Sequence, residues 1–271
     1  GRARRNATSL RQVSYFWRPA RQRAPPGRYR RGGDAPSGAP RPLRDRTGEN
    51  RGRPRARARE TLLNSAEELF ALHGIDAVSN RAIAEHAGTA NHSAVTYHFG
   101  GREGLMRALL SRGRSEMAVR RAELLGAGSA PPALREIVAG HILPWTEHLA
   151  SLPVPSWRAR FLYQVASVPS GAEALRESTA QSMRLEEILP GVRPELREGS
   201  PHVLRSRARI LGGMVMGICA SYEGQLEQGQ ARGTWLSVGY FLVDAAVGLL
   251  AAPVTHPTEF VTRGSPPAFP L

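Results

Sequence analysis

Polar side chains that suit both phosphates and base edges are concentrated in residues 79–99. Asn and His present donors and acceptors that match base edges, whereas Tyr and Thr hydroxyls and arginines suit phosphate oxygens. We therefore expect the outward face of this stretch to contact DNA. The residues on that face, or at its entrance and exit, are Ser79, Arg81, Thr89, Asn91, His92, Ser93, Thr96, Tyr97 and Arg102.

Two short helices joined by a tight turn are predicted for the same stretch. Ser79 is a natural N-cap, because its hydroxyl accepts from amides of the first turn. Gly88 ends the first helix, residues 89–91 form the turn, and residues 92–99 form the second helix. Ala84 is small enough for the crossing that a helix-turn-helix requires. Helix pairs separated by glycine also occur without DNA contact, so these residues alone leave a purely structural pair as an alternative.

A longer segment, residues 61–110, resembles the DNA-binding domain of TetR-family transcriptional regulators. The motifs that carry the resemblance are AEELF (66–70), HG (73–74), NRAIAEHAG (80–88), YHF (97–99) and REGL (102–105). The resemblance implies that Tyr97 and His98 contact DNA from the recognition helix and that Arg81 and Arg102 meet phosphates. Thr96 and the Gly100-Gly101 pair depart from the family's frequent pattern, which allows a different base preference within the same docking mode.

A basic arm precedes this segment. The sequence Arg51-Gly52-Arg53-Pro54 is similar to an AT-hook, whose arginines lie along a narrow A·T minor groove. We expect Arg51 and Arg53 to contact the minor groove or nearby phosphates. A solvated basic linker is the alternative.

Helical periodicity dominates the rest of the chain, and no alternating strand pattern rises above background. The predicted fold class is all-α, with an N-terminal three-helix head, a larger C-terminal helical domain and a disordered Arg-rich N-terminal tail; the resemblance implies that the C-terminal domain serves ligand binding and dimerisation. The predicted domains are 1–54 (basic tail), 55–110 (helix-turn-helix domain), 111–253 (ligand-binding and dimerisation domain) and 254–271 (irregular tail). The other predicted helices are 57–73, 102–125, 132–152, 156–168, 171–189, 201–228 and 234–252.

The charge of the chain is unevenly distributed. The net charge is +14, yet residues 1–59 hold 18 arginines against three acidic residues, so the remainder is close to neutral. An acid-poor basic arm of this kind attracts nucleic acid and does not fold alone.

The sequence contains few residues or motifs that would support catalysis. Every basic residue is Arg, which excludes a Schiff-base lysine, a Walker-type phosphate loop and a kinase lysine. We find no nucleophile elbow, zinc-binding helix or glycine-rich phosphate fingerprint. The single cysteine, Cys219, lies in an apolar run and is expected to be inert. We therefore predict a protein that is not an enzyme, binds no cofactor and resides in the cytoplasm, with no membrane span.

Two further sites are predicted in the C-terminal part. The last two helices carry small residues that permit a close dimer contact, with an intrachain core as the alternative: Gly212, Gly213, Gly217, Ala220, Gly224, Gly239, Ala245 and Gly248. The resemblance implies a ligand cavity between the dimer layer and the head, and aromatic and Met residues are the candidates to line it, with plain core packing as the alternative: Trp145, Trp157, Phe161, Met183, Met214 and Tyr222. His141 and His148 share a helix face, but no third ligand is evident, so no metal site is predicted.

Together with the resemblance, these observations predict a homodimer that reads a palindromic double-stranded operator and responds to an unknown small molecule. That the protein is a repressor released by its ligand is implied by the resemblance alone. Two alternatives remain from the residues: a non-sequence-specific nucleic-acid binder acting through its Arg-rich tail, and a ligand-binding helical protein that does not read an operator.

Overall fold

The computed structural model describes residues 49–126, 132–169, 171, 174–175 and 201–254. Within these residues the regular structure is helical. The helices, in chain order, are α1 (Glu49–His73), α2 (Asn80–His86), α3 (Ala94–Phe99), α4 (Arg102–Ser111), α5 (Arg114–Gly126), α6 (Leu134–Ser151), α7 (Arg158–Ser167), α8 (Pro201–Glu227) and α9 (Trp235–Ala251). None of the described helices is long and apolar enough to cross a membrane.

Helices α1 to α4 pack into an N-terminal head. Helix α1 buries one apolar stripe, and the inward residues of the three short helices close over it. Phe70, Ile83, Val95 and Leu105 are among the residues with no exposed surface, one from each of the four helices. The predicted all-α class with an N-terminal helix-turn-helix domain is thus confirmed.

Helices α5 to α9 form the larger C-terminal part. Helix α6 packs against α5 on one side and α9 on the other, while α7 packs against α8 and against α1 of the head. Helix α6 is buried over most of its length, including Trp145 and Leu149. The head and the C-terminal part therefore meet along the α1–α7 contact.

Local signals place several helix ends correctly. The amide of Gly74 donates to the carbonyl of Phe70 at 3.0 Å, and Gly74 has a φ of +83°, as expected for a C-terminal cap. Thr234 caps α9 by accepting from the Ser237 amide at 3.3 Å, and the Ser237 hydroxyl accepts in return from the Thr234 amide at 2.8 Å. Both ends lie where the sequence predicts them.

The predicted single helix over 102–125 is wrong, because the chain breaks between α4 and α5. Arg112 is extended and Gly113 has a φ of +73°. A β-carbon at Gly113 would lie 2.3 Å from the His148 ring of α6. At this break, α6 therefore packs directly on the backbone of Gly113.

Three other predicted boundaries differ or cannot be placed. Helix α1 begins at Glu49 rather than at residue 57, so it extends into the segment predicted to be disordered, and α3 begins at Ala94 rather than at residue 92. The predicted tail at 1–48, most of the helix at 171–189, the loop at 191–200 and the tail beyond residue 254 lie outside the described residues.

Candidate nucleic-acid interface

The first helix of the predicted pair, α2, begins where its cap is expected. Ser79 has an extended backbone, and its hydroxyl accepts a hydrogen bond from the Ala82 amide at 3.1 Å. Ala84 is fully buried at the crossing with its neighbours, and Gly88 follows the helix with a φ of +71°. The Ser79 hydroxyl is therefore used as a cap, although the side chain is exposed.

The turn between α2 and α3 is held by two of the predicted contact residues. The Thr89 hydroxyl accepts from the Asn91 amide at 3.2 Å, and the Asn91 side-chain oxygen accepts from the Ser93 amide at 3.0 Å. These bonds shape the entry to α3 and leave the side-chain amide donors of Asn91 for another partner. Asn91 is exposed and Thr89 is half-buried.

Helix α3 exposes one polar and aromatic face while it buries the other. Val95 is fully buried, whereas Tyr97 is 62% exposed and Thr96 is exposed beside it. His98 is half-buried with its ring 4.9 Å from the Tyr97 ring. A side chain at Gly104 would collide with the Phe99 carbonyl oxygen, so this glycine lets α4 approach the end of α3.

Residues at the ends of the pair join this exposed face. His92 and Ser93 are exposed just before α3. Arg81 is exposed at the start of α2 and donates to Glu85 at 2.8 Å. The His92 ring lies 3.9 Å from the same carboxylate. The structure therefore brings five predicted contact residues together, with Arg81 at their edge: Asn91, His92, Ser93, Thr96 and Tyr97.

Arg102 is placed differently from its predicted role. Its guanidinium donates to the carbonyls of Val78, at 2.7 Å, and Ile75, and it lies 5.0 Å from the centre of the Phe70 ring. These contacts anchor α4 to the loop between α1 and α2. The side chain thus has a structural partner, and its predicted phosphate contact stays a prediction, as do the contacts of Arg51 and Arg53, whose side chains lie outside the described part.

Two arginines of α1 that no sequence motif indicates also lie against α3. The Arg55 guanidinium is 5.2 Å from the centre of the Tyr97 ring, and that of Arg59 is 4.9 Å from the Phe99 ring. Burial, and then the charges of Arg55 and Arg59, lower the pKa of His98 below its ordinary value. These effects favour the neutral imidazole, which has one donor and one acceptor.

An ion network with a buried Arg158–Glu67 pair fixes the head against the C-terminal part. Arg158 of α7 donates to Glu67 of α1 and to the Leu109 carbonyl, both at 2.8 Å, and to the Arg112 carbonyl at 3.0 Å. Arg112 in turn donates to Glu67 and Glu60. The network sits at the α4–α5 break, so it ties three helices at one point.

The predicted pocket residues lie mostly in the core of the C-terminal part. Trp145, Phe161 and Tyr222 are buried, and Met214 is half-buried. Trp157 is half-buried beneath the Arg160 guanidinium, 4.1 Å from its ring centre, and Met183 lies outside the described residues. Burial raises the pKa of the Cys219 thiol to about 12, so this cysteine is protonated and unreactive, as expected.

The small residues of the last two helices separate into two groups. A β-carbon at Gly239 would lie 2.5 Å from the Thr146 hydroxyl, so this glycine serves the contact of α9 with α6 inside the chain. Gly213, Gly224 and Gly248 face open space. The same helices expose large apolar side chains, with Phe241 60% accessible; the others are Ile210, Leu236 and Tyr240.

A pair of short helices with a capped entry, a tight turn and an exposed polar second helix defines a helix-turn-helix DNA-binding domain. Residues 62–109 match the sequence model of the family described as "Bacterial regulatory proteins, tetR family". This segment of the chain is thus similar to the helix-turn-helix domain of TetR-family transcription regulators.

Several solved structures are similar to this chain. NalD from Pseudomonas aeruginosa, the secondary repressor of a multidrug efflux pump, has 22% identity over 70% of this chain and 96% of its own, with a TM-score of 0.46. A transcriptional regulator from Rhodococcus sp. Rha1 has 20% identity over 70% and 94%, with a TM-score of 0.44. The multidrug binding protein EbrR, solved with imidazole, has 17% identity over 73% and 97%, with a TM-score of 0.40. The comparison with curated proteins found no match.

Proposed function

We propose that this protein is a sequence-specific transcriptional regulator that reads a palindromic operator through α3. The observation that carries the proposal is the exposed face of α3, where Thr96 and Tyr97 project from a helix whose opposite side is locked into the core. A major groove about 12 Å wide admits one helix, and short polar side chains at its start reach base edges. Neutral His98 adds a donor and an acceptor to this surface.

The proposed regulator is a homodimer that pairs through α8 and α9. The support is the exposed apolar surface of Ile210, Leu236, Tyr240 and Phe241, together with glycines that face open space on the same helices. A stable interface buries about 800 Å² on each partner, and two long helices supply a surface of that order. Two-fold symmetry would then place two copies of α3 one helical turn apart on DNA.

We propose that a small molecule bound in the C-terminal part releases the regulator from its operator, which makes it a repressor. The aromatic side chains of Trp145, Phe161 and Tyr222 suit an apolar effector. Phe161 also stacks on Phe70 of α1, with 6.0 Å between ring centres. A change in the packing around Phe161 would therefore reach the head directly.

Selection from random duplex DNA with the full chain tests the proposal. We expect a palindrome whose half-sites are centred about one helical turn, or 10–10.5 base pairs, apart. Insertion of five base pairs between the half-sites should abolish joint binding of both heads. Recovery of no preferred sequence would contradict the proposal. In a reporter strain, the operator placed over a promoter should lower expression, and an increase would exclude repression.

A further inference from the structure

Arg55 and Arg59 lie one helical turn apart on α1, on the side that faces the recognition helix. Each is exposed, and each guanidinium lies over an aromatic ring of α3, that of Arg55 at 5.2 Å from the Tyr97 ring centre and that of Arg59 at 4.9 Å from the Phe99 ring centre. The N-terminal half of α1 therefore borders the surface that α3 presents.

The way these arginines are held leaves their donors available. A guanidinium carries five N–H donors, and a contact with an aromatic ring leaves them without an oxygen acceptor. Within the described residues, neither Arg55 nor Arg59 bonds a carboxylate or a carbonyl. Other arginines of the head differ in this respect: Arg81 pairs with Glu85, and Arg102 donates to backbone carbonyls.

We infer that Arg55 and Arg59 bind DNA phosphates beside each half-site and at the same time act as positioning residues for α3. The inference rests on the proposed function, because it assumes that α3 docks in the groove. A phosphate accepts from the N–H groups of each guanidinium while the guanidinium stays over its aromatic ring. The interface thus extends from α3 onto α1.

The recognition helix needs support of this kind. It has only six residues, and Ser93 at its N-cap makes no side-chain capping bond. An isolated helix of this length is unstable, so its position depends on tertiary contacts. Arg55 and Arg59 supply two such contacts on the aromatic side chains that follow Thr96.

The test compares glutamine variants at equal charge change. Arg57 lies between the two arginines on α1, is exposed, and makes no ring contact with α3 within the described residues. The variants Arg55→Gln and Arg59→Gln, with Arg57→Gln as the matched control, are titrated with duplex DNA between 50 and 300 mM salt. Melting temperatures show that each variant folds.

Removal of one phosphate contact reduces the magnitude of the slope of log affinity against log salt by about 0.9. Because a dimer has two heads, one substitution removes two contacts and reduces that magnitude by about 1.8. We expect this decrease for Arg55→Gln and Arg59→Gln and a clearly smaller one for Arg57→Gln. Lysine at either position should restore the slope, because it restores the charge, and should leave selectivity reduced, because it lacks the flat stacking face.

A slope for Arg55→Gln and Arg59→Gln equal to that of the control would overturn the inference. A lower affinity with an unchanged slope would also overturn it, because the two residues would then serve packing alone. If selection recovers no preferred sequence, the proposed function fails, yet the slopes on random duplex DNA still decide whether these arginines bind phosphates.

Discussion

The Arg158 guanidinium of α7 donates to the Glu67 carboxylate of α1 at 2.8 Å, and both side chains are buried, with 4% and 10% of their surfaces exposed. Glu67 also accepts from Arg112, which pairs with Glu60 as well. Arg158 and Glu67 are 91 positions apart in the chain. This pair therefore joins the N-terminal head to the C-terminal part at a site that water hardly reaches.

Loss of the buried carboxylate should strongly destabilise the protein. Glu67→Met leaves Arg158 buried without an anion, which typically costs about 3–5 kcal/mol. Glu147→Met removes the partner of Arg120 at a half-exposed ion pair near the surface, and surface pairs are worth about 0–1 kcal/mol. Urea unfolding measures both free energies. Equal losses for the two variants would show that the Arg158–Glu67 pair is not a stabilising element of the junction.

The glycine at the α4–α5 break is expected to be irreplaceable, in contrast to the one that ends α1. Gly74→Ala places a side chain at a φ of +83° in open space and should cost about 1–2 kcal/mol of backbone strain. Gly113→Ala adds a collision with the His148 ring, 2.3 Å from the new atom. A larger fall in the free energy of unfolding is expected for Gly113→Ala. An equal fall would show that His148 moves aside without cost.

Acidification should weaken the protein through His148. Burial lowers the pKa of this imidazole, Arg158 and Arg112 lower it further, and Glu116 and Glu67 oppose them. The unfolded chain, with a pKa near 6.5, therefore binds a proton more readily than the folded one. The stability contributed by neutral His148 is present above that pH and is lost as the pH falls towards the folded pKa.

The measurement is the free energy of unfolding at pH 7.5 and 5.5. His148→Gln should flatten the pH dependence, by at most about 1.4 kcal/mol per pH unit below pH 6.5. His73→Gln, at an exposed position at the end of α1, serves as the control. The same pH dependence in wild type and His148→Gln would remove His148 as its source.

Features that depend on neighbouring residues could be predicted from the sequence. The Ser79 cap, the Gly74 and Gly88 ends and the buried Ala84 all follow from side-chain chemistry within one or two turns. The outward face of α3 follows from helical periodicity once the turn is placed. For this reason the helix-turn-helix and the exposed position of Tyr97 could be predicted from the sequence.

Features that depend on distant residues could not be predicted. The break at Gly113 reflects the packing of His148, which lies on another helix. The sequence predicts that Arg102 is a free cation at the start of a helix. In the structure its guanidinium donates to carbonyls of a loop more than twenty residues earlier in the chain. In the sequence, Gly239 cannot be told from the other glycines of α8 and α9. Its contact with Thr146 in the structure separates it from the glycines that face open space.

Charge placed on the exposed apolar surface of α9 should separate the proposed dimer. Phe241 is 60% exposed, and Phe241→Glu introduces a carboxylate that a two-fold interface would bury twice. Val119 on α5 is 61% exposed, so Val119→Glu is the matched control. Sedimentation velocity should show a monomer for Phe241→Glu and a dimer for Val119→Glu. A dimer in both cases would place the interface elsewhere.

The central claim is that the face of α3 reads a DNA sequence, and the selectivity of binding tests it most directly. The measurement is the affinity of the full chain for its selected palindrome relative to a scrambled duplex at 150 mM salt. We predict a ratio of at least about 10³. Tyr97→Ala should reduce it, with a loss of about 1–3 kcal/mol on the palindrome, while Leu72→Ala, at an exposed position of α1, should leave it unchanged. Equal affinity of the wild-type chain for both duplexes, or a ratio that Tyr97→Ala does not alter, would contradict the account.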